Sequence, residues 1–142
     1  MIKHTPHHQP HNDWNIYWHN TLPSTNDYAL KLLRSEQDYS SLNKHLIIAK
    51  SQENGRGRYG NNWQSLDGNL FCSAIFISKL PLSSLSSLSF TAALAVHTAI
   101  TEYTKENSSY KEETPKSHLL SCRWPNAILY GDARLAGLLI VT

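Results

Sequence analysis

Lys44-His45-Leu46-Ile47-Ile48-Ala49-Lys50-Ser51-Gln52-Glu53-Asn54-Gly55-Arg56-Gly57-Arg58-Tyr59-Gly60-Asn61-Asn62-Trp63 decides how this chain is read. The continuous apolar run from Leu46 to Ala49 predicts a strand buried on both faces. From Gln52 onward the character changes. Gly55, Gly57 and Gly60 let the backbone take positive φ and come close to a ligand, and Arg56 and Arg58 set two permanent, planar, five-donor cations among them. A loop so built suits an anion, because successive backbone N–H groups form a concave nest and a guanidinium grips phosphate or carboxylate bidentately. The bland alternative is a Gly-rich hairpin or a solvated basic loop, and an isolated Gly-Arg-Gly-Arg does not exclude it.

Working outward, Asn69 to Ser78 reads as a second long strand, so the glycine loop joins two core strands and has a rigid support. Upstream, Trp14, Ile16 and Trp18 alternate with polar or smaller-faced neighbours, which predicts a short strand. Pro23-Ser24-Thr25-Asn26-Asp27 supplies helix-capping oxygens, and Ala29, Leu30, Leu32 and Leu33 follow at helical spacing. A helix of about three turns therefore starts there. Residues 1–13 are polar, proline-punctuated and aperiodic, which predicts a flexible tail whose four histidines, His4, His7, His8 and His11, lack the fixed geometry of a metal site.

Downstream, a helix is expected from Leu82 to Tyr103, its apolar stripe formed by Leu85, Leu88, Ala92, Ala95, Val96, Ala99 and Tyr103, with His97 packed beside it. Thr104 to Ser117 is polar and reads as a long surface loop. Leu119 to Arg123 reads as a strand, Trp124-Pro125-Asn126 as a corner, Ala127 to Tyr130 as another strand, Gly131-Asp132 as a turn, and Leu135 to Val141 as the last strand.

Composition narrows the class. The 142 residues are 40% apolar and 17% charged, which reads as one globular domain or part of one, with enough chain for a real core. A net charge of +2, with basic residues spread along the chain, argues against binding nucleic acid by bulk charge. Cys72 and Cys122 fall in strand-like segments, which predicts two reduced core thiols and a cytoplasmic setting. No secretory signal and no membrane-length apolar run is present.

The separate signals occur in one order: Ser24-Thr25-Asn26, Gln52 with Gly55-Arg56-Gly57-Arg58-Tyr59-Gly60, Trp63, Arg123-Trp124-Pro125-Asn126 and Arg134-Leu135-Ala136-Gly137. In that order and spacing, across roughly residues 14 to 142, they resemble the biotin–protein ligases. The resemblance implies an α/β (α+β) fold of the class II synthetase-like type, a mainly antiparallel mixed sheet backed by helices. It implies a ligase that forms biotinyl-5′-AMP from biotin and ATP, with Mg²⁺ accompanying the ATP, and passes biotin to a lysine of a carboxylase's biotin carboxyl carrier domain. By position, Ser24, Thr25, Asn26, Gln52, Gly55, Arg56 and Arg58 are the implied biotin contacts. Arg58, Trp63, Asn126 and Arg134 are the implied nucleotide contacts, and Arg56, Arg58 and Arg134 the implied catalytic cations, with no protein-held metal.

Three features depart from the family pattern. Arg123 stands for a lysine before Trp-Pro-Asn, Ala127 for an aspartate after it, and Arg134 for a lysine before Leu-Ala-Gly. Arginine keeps the charge but replaces a compact ammonium with a wide fork. The chain also stops at Thr142 in an apparent core strand, which reads as a truncation of the catalytic domain before the family's small β-barrel, and an N-terminal DNA-binding domain is not expected. The alternatives are a degenerate, non-catalytic biotin- or nucleotide-binding fragment and a lipoate–protein ligase of related fold.

Overall fold

The computed structural model describes residues 7–11, 14–35, 44–106 and 119–141, with residues 7–11, Arg58, Leu82, Leu85 and Ser86 described by their backbone. The expectations for residues 1–6, 12–13, 36–43 and 107–118 lie outside the described residues. The chain divides into two compact units, Met1–Lys79 and Leu80–Thr142.

In the first unit the apolar run forms β3, within His45–Gln52. Around it stand β1 (His7–His11), β2 (Trp14–Leu22) and β6 (Phe71–Ile75), in the sheet order β1-β2-β3-β6. β3 runs parallel to β2 and antiparallel to β6, and β1 is antiparallel to β2. Ile47 is completely buried and Ile48, on the opposite face, is 8% exposed, so the strand is covered on both sides as its composition implies. β1 lies in the segment read as a tail. Its edge position tolerates Pro10, which has no N–H to give a ladder.

The parallel pair needs a crossover, and α1 (Thr25–Ser35) provides it. Ser24 caps the helix: Asp27 N–H donates to its Oγ at 3.3 Å and Tyr28 N–H to its carbonyl at 3.1 Å. Asp27 itself lies in the first turn, where the helix dipole favours an anion. Ala29, with Tyr28, Leu32 and Leu33, packs on a core of Leu22, Ile47, Ala49 and Ile75.

The glycine loop is a hairpin, the bland alternative made real. β4 (Gly55–Arg56) pairs antiparallel with β5 (Asn62–Trp63), and Gly57 N–H donates to the Asn61 carbonyl at 2.8 Å. Positive φ falls at Tyr59 (59°) and Gly60 (74°), not at Gly55 or Gly57. Cys72, on the edge strand β6, is exposed and Cys122 is half-buried, so the expectation of two core thiols fails, although both are free.

The second unit holds α2 (Leu85–Glu106) and an antiparallel sheet of β7 (Leu120–Arg123), β8 (Ala127–Tyr130) and β9 (Ala133–Gly137). β9 begins two residues before the apolar segment Leu135–Val141 expected as the last strand, because pairing to β8 and not hydropathy sets its register. Ala93 is buried, and the His97 imidazole nitrogen Nε2 lies 3.4 Å from the Leu120 carbonyl oxygen. Ala95, Val96, Ala99 and Tyr103 are exposed. Leu88 and Ala92 of the expected stripe are half-buried, and the packed side of α2 also takes in Ser89, Ala93, His97 and Ile100. Every described strand pairing except β2–β3 is antiparallel, giving the mixed α/β fold with antiparallel sheets and helices.

One packing contact has a measurable pH signature. His19 on β2 lies against Tyr28 of α1, ring centroids 4.7 Å apart, and its Nε2 is buried with no hydrogen-bond partner among the described residues. Burial pushes its pKa below the ordinary 6.5. The unfolded chain then binds the proton more readily than the folded one, so the stabilisation is complete above the unfolded value and is lost as pH falls toward the folded one. Denaturant titrations should show stability declining below about pH 6.5 more steeply for the native sequence than for His19→Phe. Parallel pH profiles for the two proteins would contradict this.

Candidate functional site

The site is built where β3 ends. Thr25, the first residue of α1, donates its backbone N–H to Gln52 Oε1 at 2.7 Å and its hydroxyl proton to the same oxygen at 3.1 Å. A backbone N–H can only donate, so the atom it meets must be the amide oxygen, and the orientation of the carboxamide is fixed. Because the Thr25 hydroxyl proton is committed to Gln52, the Ser73 hydroxyl donates to Thr25 Oγ1, at 2.9 Å. Two N–H donors on Gln52 Nε2 remain, directed to the Gly55 side.

Gly55 is required there by space and not by φ. A Cβ on it would stand 2.8 Å from the Trp63 carbonyl oxygen and 3.1 Å from Gln52 Nε2. Gly57 is only somewhat less confined, since a Cβ on it would stand 3.3 Å from the Asn61 carbonyl oxygen.

The backbone of Gln52 is held as firmly as its side chain. Pairing with β6 stops at Ala49–Phe71, and beyond it one hydroxyl substitutes for a strand: Gln52 N–H donates to Ser65 Oγ, and Ser65 O–H donates to the Gln52 carbonyl, each at 2.9 Å. On the other side Glu53 N–H donates to the Leu22 carbonyl at 3.0 Å and Asn54 N–H to the Pro23 carbonyl at 2.8 Å. Residues 52–55 and 62–66 line an open cleft of about 470 Å³.

Arg56 reaches back to α1, its guanidinium 3.1 Å from the Asp27 carboxylate. With Arg56 60% and Asp27 35% exposed, the pair is worth less than about 1 kcal/mol. It holds the hairpin against the helix start without binding the arginine irreversibly, so an anionic ligand can compete for the cation.

Of the residues singled out in the sequence, Ser24 and Thr25 are buried, Asn26 and Gln52 half-buried, Gly55 buried, Arg56 exposed, and Trp63 half-buried along the cleft. The structure brings Thr25, Gln52, Gly55 and Trp63 together. Arg58 lies in the turn Arg58–Gly60, with its side chain outside the described set. Asn126 and Arg134 belong to the second unit. Asn126 is buried in the corner after the cis Trp124–Pro125 bond, donating Nδ2–H to the Leu138 carbonyl at 2.6 Å and accepting Leu138 N–H at 2.9 Å. Arg134 is exposed on β9 opposite Leu129. Ala127 is 2% exposed and pairs with Arg123, so a carboxylate there would need a buried partner that an alanine does not.

Sequence reasoning passes over Asp27, Ser65 and Ser73. Asp27 is visible there only as a helix-start residue, and Ser65 carries no local signal. Ser73 does carry one, as a hydroxyl in the middle of an otherwise apolar strand. Among the described residues no group of three or more His, Cys, Asp or Glu could hold a metal ion, and no helix is long and apolar enough to cross a membrane.

The architecture is similar to that of solved biotin protein ligases. Against the enzyme from Leishmania major in complex with biotinyl-5-AMP, the TM-score is 0.73 at 24% identity, covering 89% of this chain and 51% of that one. The biotin acetyl coenzyme A carboxylase synthetase from Helicobacter pylori with bound biotinylated ATP gives 0.60 at 26% identity, over 89% and 54%. The Aquifex aeolicus biotin protein ligase in complex with biotin and ATP gives 0.63 at 24% identity, over 87% and 45%. The chain thus spans about half the length of these proteins. The family model for biotin/lipoate A/B protein ligases matches residues 18–142, and with Thr25, Gln52 and the glycine hairpin all inside that span, this chain belongs to the biotin/lipoate A/B protein ligase family.

Proposed function

We propose that this chain carries the biotin-binding and loop elements of a cytoplasmic biotin–protein ligase, which activates biotin with ATP and transfers it to a lysine of a carboxylase's biotin carboxyl carrier domain. The observation that carries the reading is the Gln52 carboxamide, whose oxygen is held by two donors from Thr25 so that its N–H groups are left for a ligand. A cyclic urea presents a carbonyl oxygen that such a donor matches, and it is neutral, as the Gln52 carboxamide and the Thr25 hydroxyl are. Burying that carbonyl unpaired would cost roughly 1–3 kcal/mol. Ser24 offers a further hydroxyl next to Thr25, and the Asn26 amide follows it.

The charged end belongs to Arg56 and Arg58. In the first step a carboxylate oxygen of biotin attacks the α-phosphorus of ATP and the bond to pyrophosphate breaks. Two anions must approach, and closely held cations lower that barrier. Mg²⁺ arrives with ATP as part of the substrate, balancing the pyrophosphate charge. In the second step the lysine amine attacks the acyl carbon, AMP leaves with the bonding pair, and the amine proton is lost. Between the steps the mixed anhydride is open to water, and the hairpin Gly55–Trp63 serves as its cover, with Trp63 on the adenine side. Asn126 and Arg134 complete the nucleotide contacts in this reading. A lipoate substrate lacks the urea and gives Gln52 no oxygen to bind.

Calorimetry on the intact protein tests the substrate. Biotin should bind more tightly than lipoate, and Gln52→Ala should weaken biotin by about tenfold, the worth of one well-placed hydrogen bond to a buried carbonyl. Tighter lipoate binding would overturn the assignment. Gly55→Ala places a methyl within 2.8 Å of the Trp63 carbonyl, so the β4–β5 pair must open, and biotin-dependent pyrophosphate exchange should fall at least about 100-fold. An active Gly55→Ala enzyme would show that the hairpin geometry is not needed for the chemistry.

A further inference from the structure

The Ser73–Thr25–Gln52 chain of hydrogen bonds leads to a residue outside every role assigned above. Ser73 lies on β6 opposite Ile47 in register, and therefore on the sheet face that carries α1. Its hydroxyl is half-buried and donates to Thr25 Oγ1 at 2.9 Å, and Thr25 donates onward to Gln52 Oε1 at 3.1 Å. The direction of this relay is forced from its far end. Gln52 Oε1 already receives the Thr25 N–H, so it is an oxygen and can only accept. Thr25 must then spend its one hydroxyl proton on Gln52, and its oxygen can only accept from Ser73. Each donation polarises the next hydroxyl in the same sense.

We infer that Ser73 is a positioning residue: acting through Thr25, it holds the Gln52 carboxamide with its N–H groups turned to the ligand side. Without it the Thr25 oxygen loses the donor that satisfies its lone pair and polarises its hydroxyl, and the hydrogen bond from Thr25 to Gln52 weakens. The amide can then rotate away from the orientation in which it donates. The inference rests on the reading of Gln52 as a contact to the urea carbonyl of biotin, and it adds that ligand discrimination is partly set from the floor of the sheet.

A double-mutant cycle on the intact protein separates positioning from mere support. Ser73→Ala should weaken biotin binding by about fivefold, in line with one hydrogen bond's net worth, and change it by less than about twofold in a Gln52→Ala background. Ser73→Thr, which keeps the hydroxyl on a residue suited to a strand, should restore affinity. Equal losses in both backgrounds, or no loss with Gln52 intact, overturn the inference. If Ser73→Ala does not fold, Ser73→Cys is nearly isosteric and a poor donor, and serves in the same cycle. A ligand-free measurement keeps this distinct from the biotin assignment. The two side-chain amide proton resonances of Gln52, assigned by their loss in Gln52→Ala, should be dispersed in the native protein and move toward random-coil values in Ser73→Ala. Unchanged resonances refute the relay even if biotin binds, whereas a native protein that fails to bind biotin while these resonances move refutes the substrate and leaves the relay standing.

Discussion

A single oxygen, Gln52 Oε1, fixes the geometry on which the first unit's site depends. Two donors from Thr25 converge on it, so the first residue of α1 and the last residue of β3 are joined at the point where a parallel pair and its crossover helix come together. Nothing about the β2–β3 ladder alone would place the helix start there. With that joint made, Ser24 is carried into the cap position, Asp27 into reach of Arg56, and Gly55 against the amide nitrogen. The arrangement is polar but half-buried, and it is tolerated because each acceptor has its donor.

The same joint explains the division of labour along the glycine hairpin. Gly55 is confined by backbone and by Gln52, so its role is to permit approach. Gly60, with φ of 74° and no atom within 4 Å of a Cβ, serves the turn instead. The root of the hairpin is therefore tied to the end of the sheet. Its only described ion pair, Arg56 with Asp27, is exposed and weak.

Legibility in the sequence follows the range of the interaction. The β3 run, the α1 cap and the corner at Trp124-Pro125-Asn126 can be read because each is decided by neighbours in sequence. The glycine–arginine stretch is located by its composition, but its conformation is not: three glycines suggest positive φ throughout, and the structure uses that freedom once. Apolar periodicity misleads on α2, where Ala93 and His97 face the second unit's sheet while Val96 and Tyr103 do not. β1 is invisible for a related reason, since an edge strand containing Pro10 answers to one neighbour and needs no apolar alternation.

Ser65 and Ser73 mark the limit of reading by motif. Both act on Gln52 across 13 and, through Thr25, 48 residues of separation, and the sequence around each does not name its partner. Yet each stands where the sheet would otherwise leave a polar group unpaired: Ser65 beyond the last β3–β6 ladder bond, Ser73 under a helix-start hydroxyl. A backbone or hydroxyl group buried without a partner costs about as much as the hydrogen bond it lacks, so a site of this kind selects serines at its periphery as strictly as it selects the contact residue itself. The constraint on the Gln52 carboxamide and backbone is consequently spread over β6, α1 and the segment after β5, three stretches far apart in sequence.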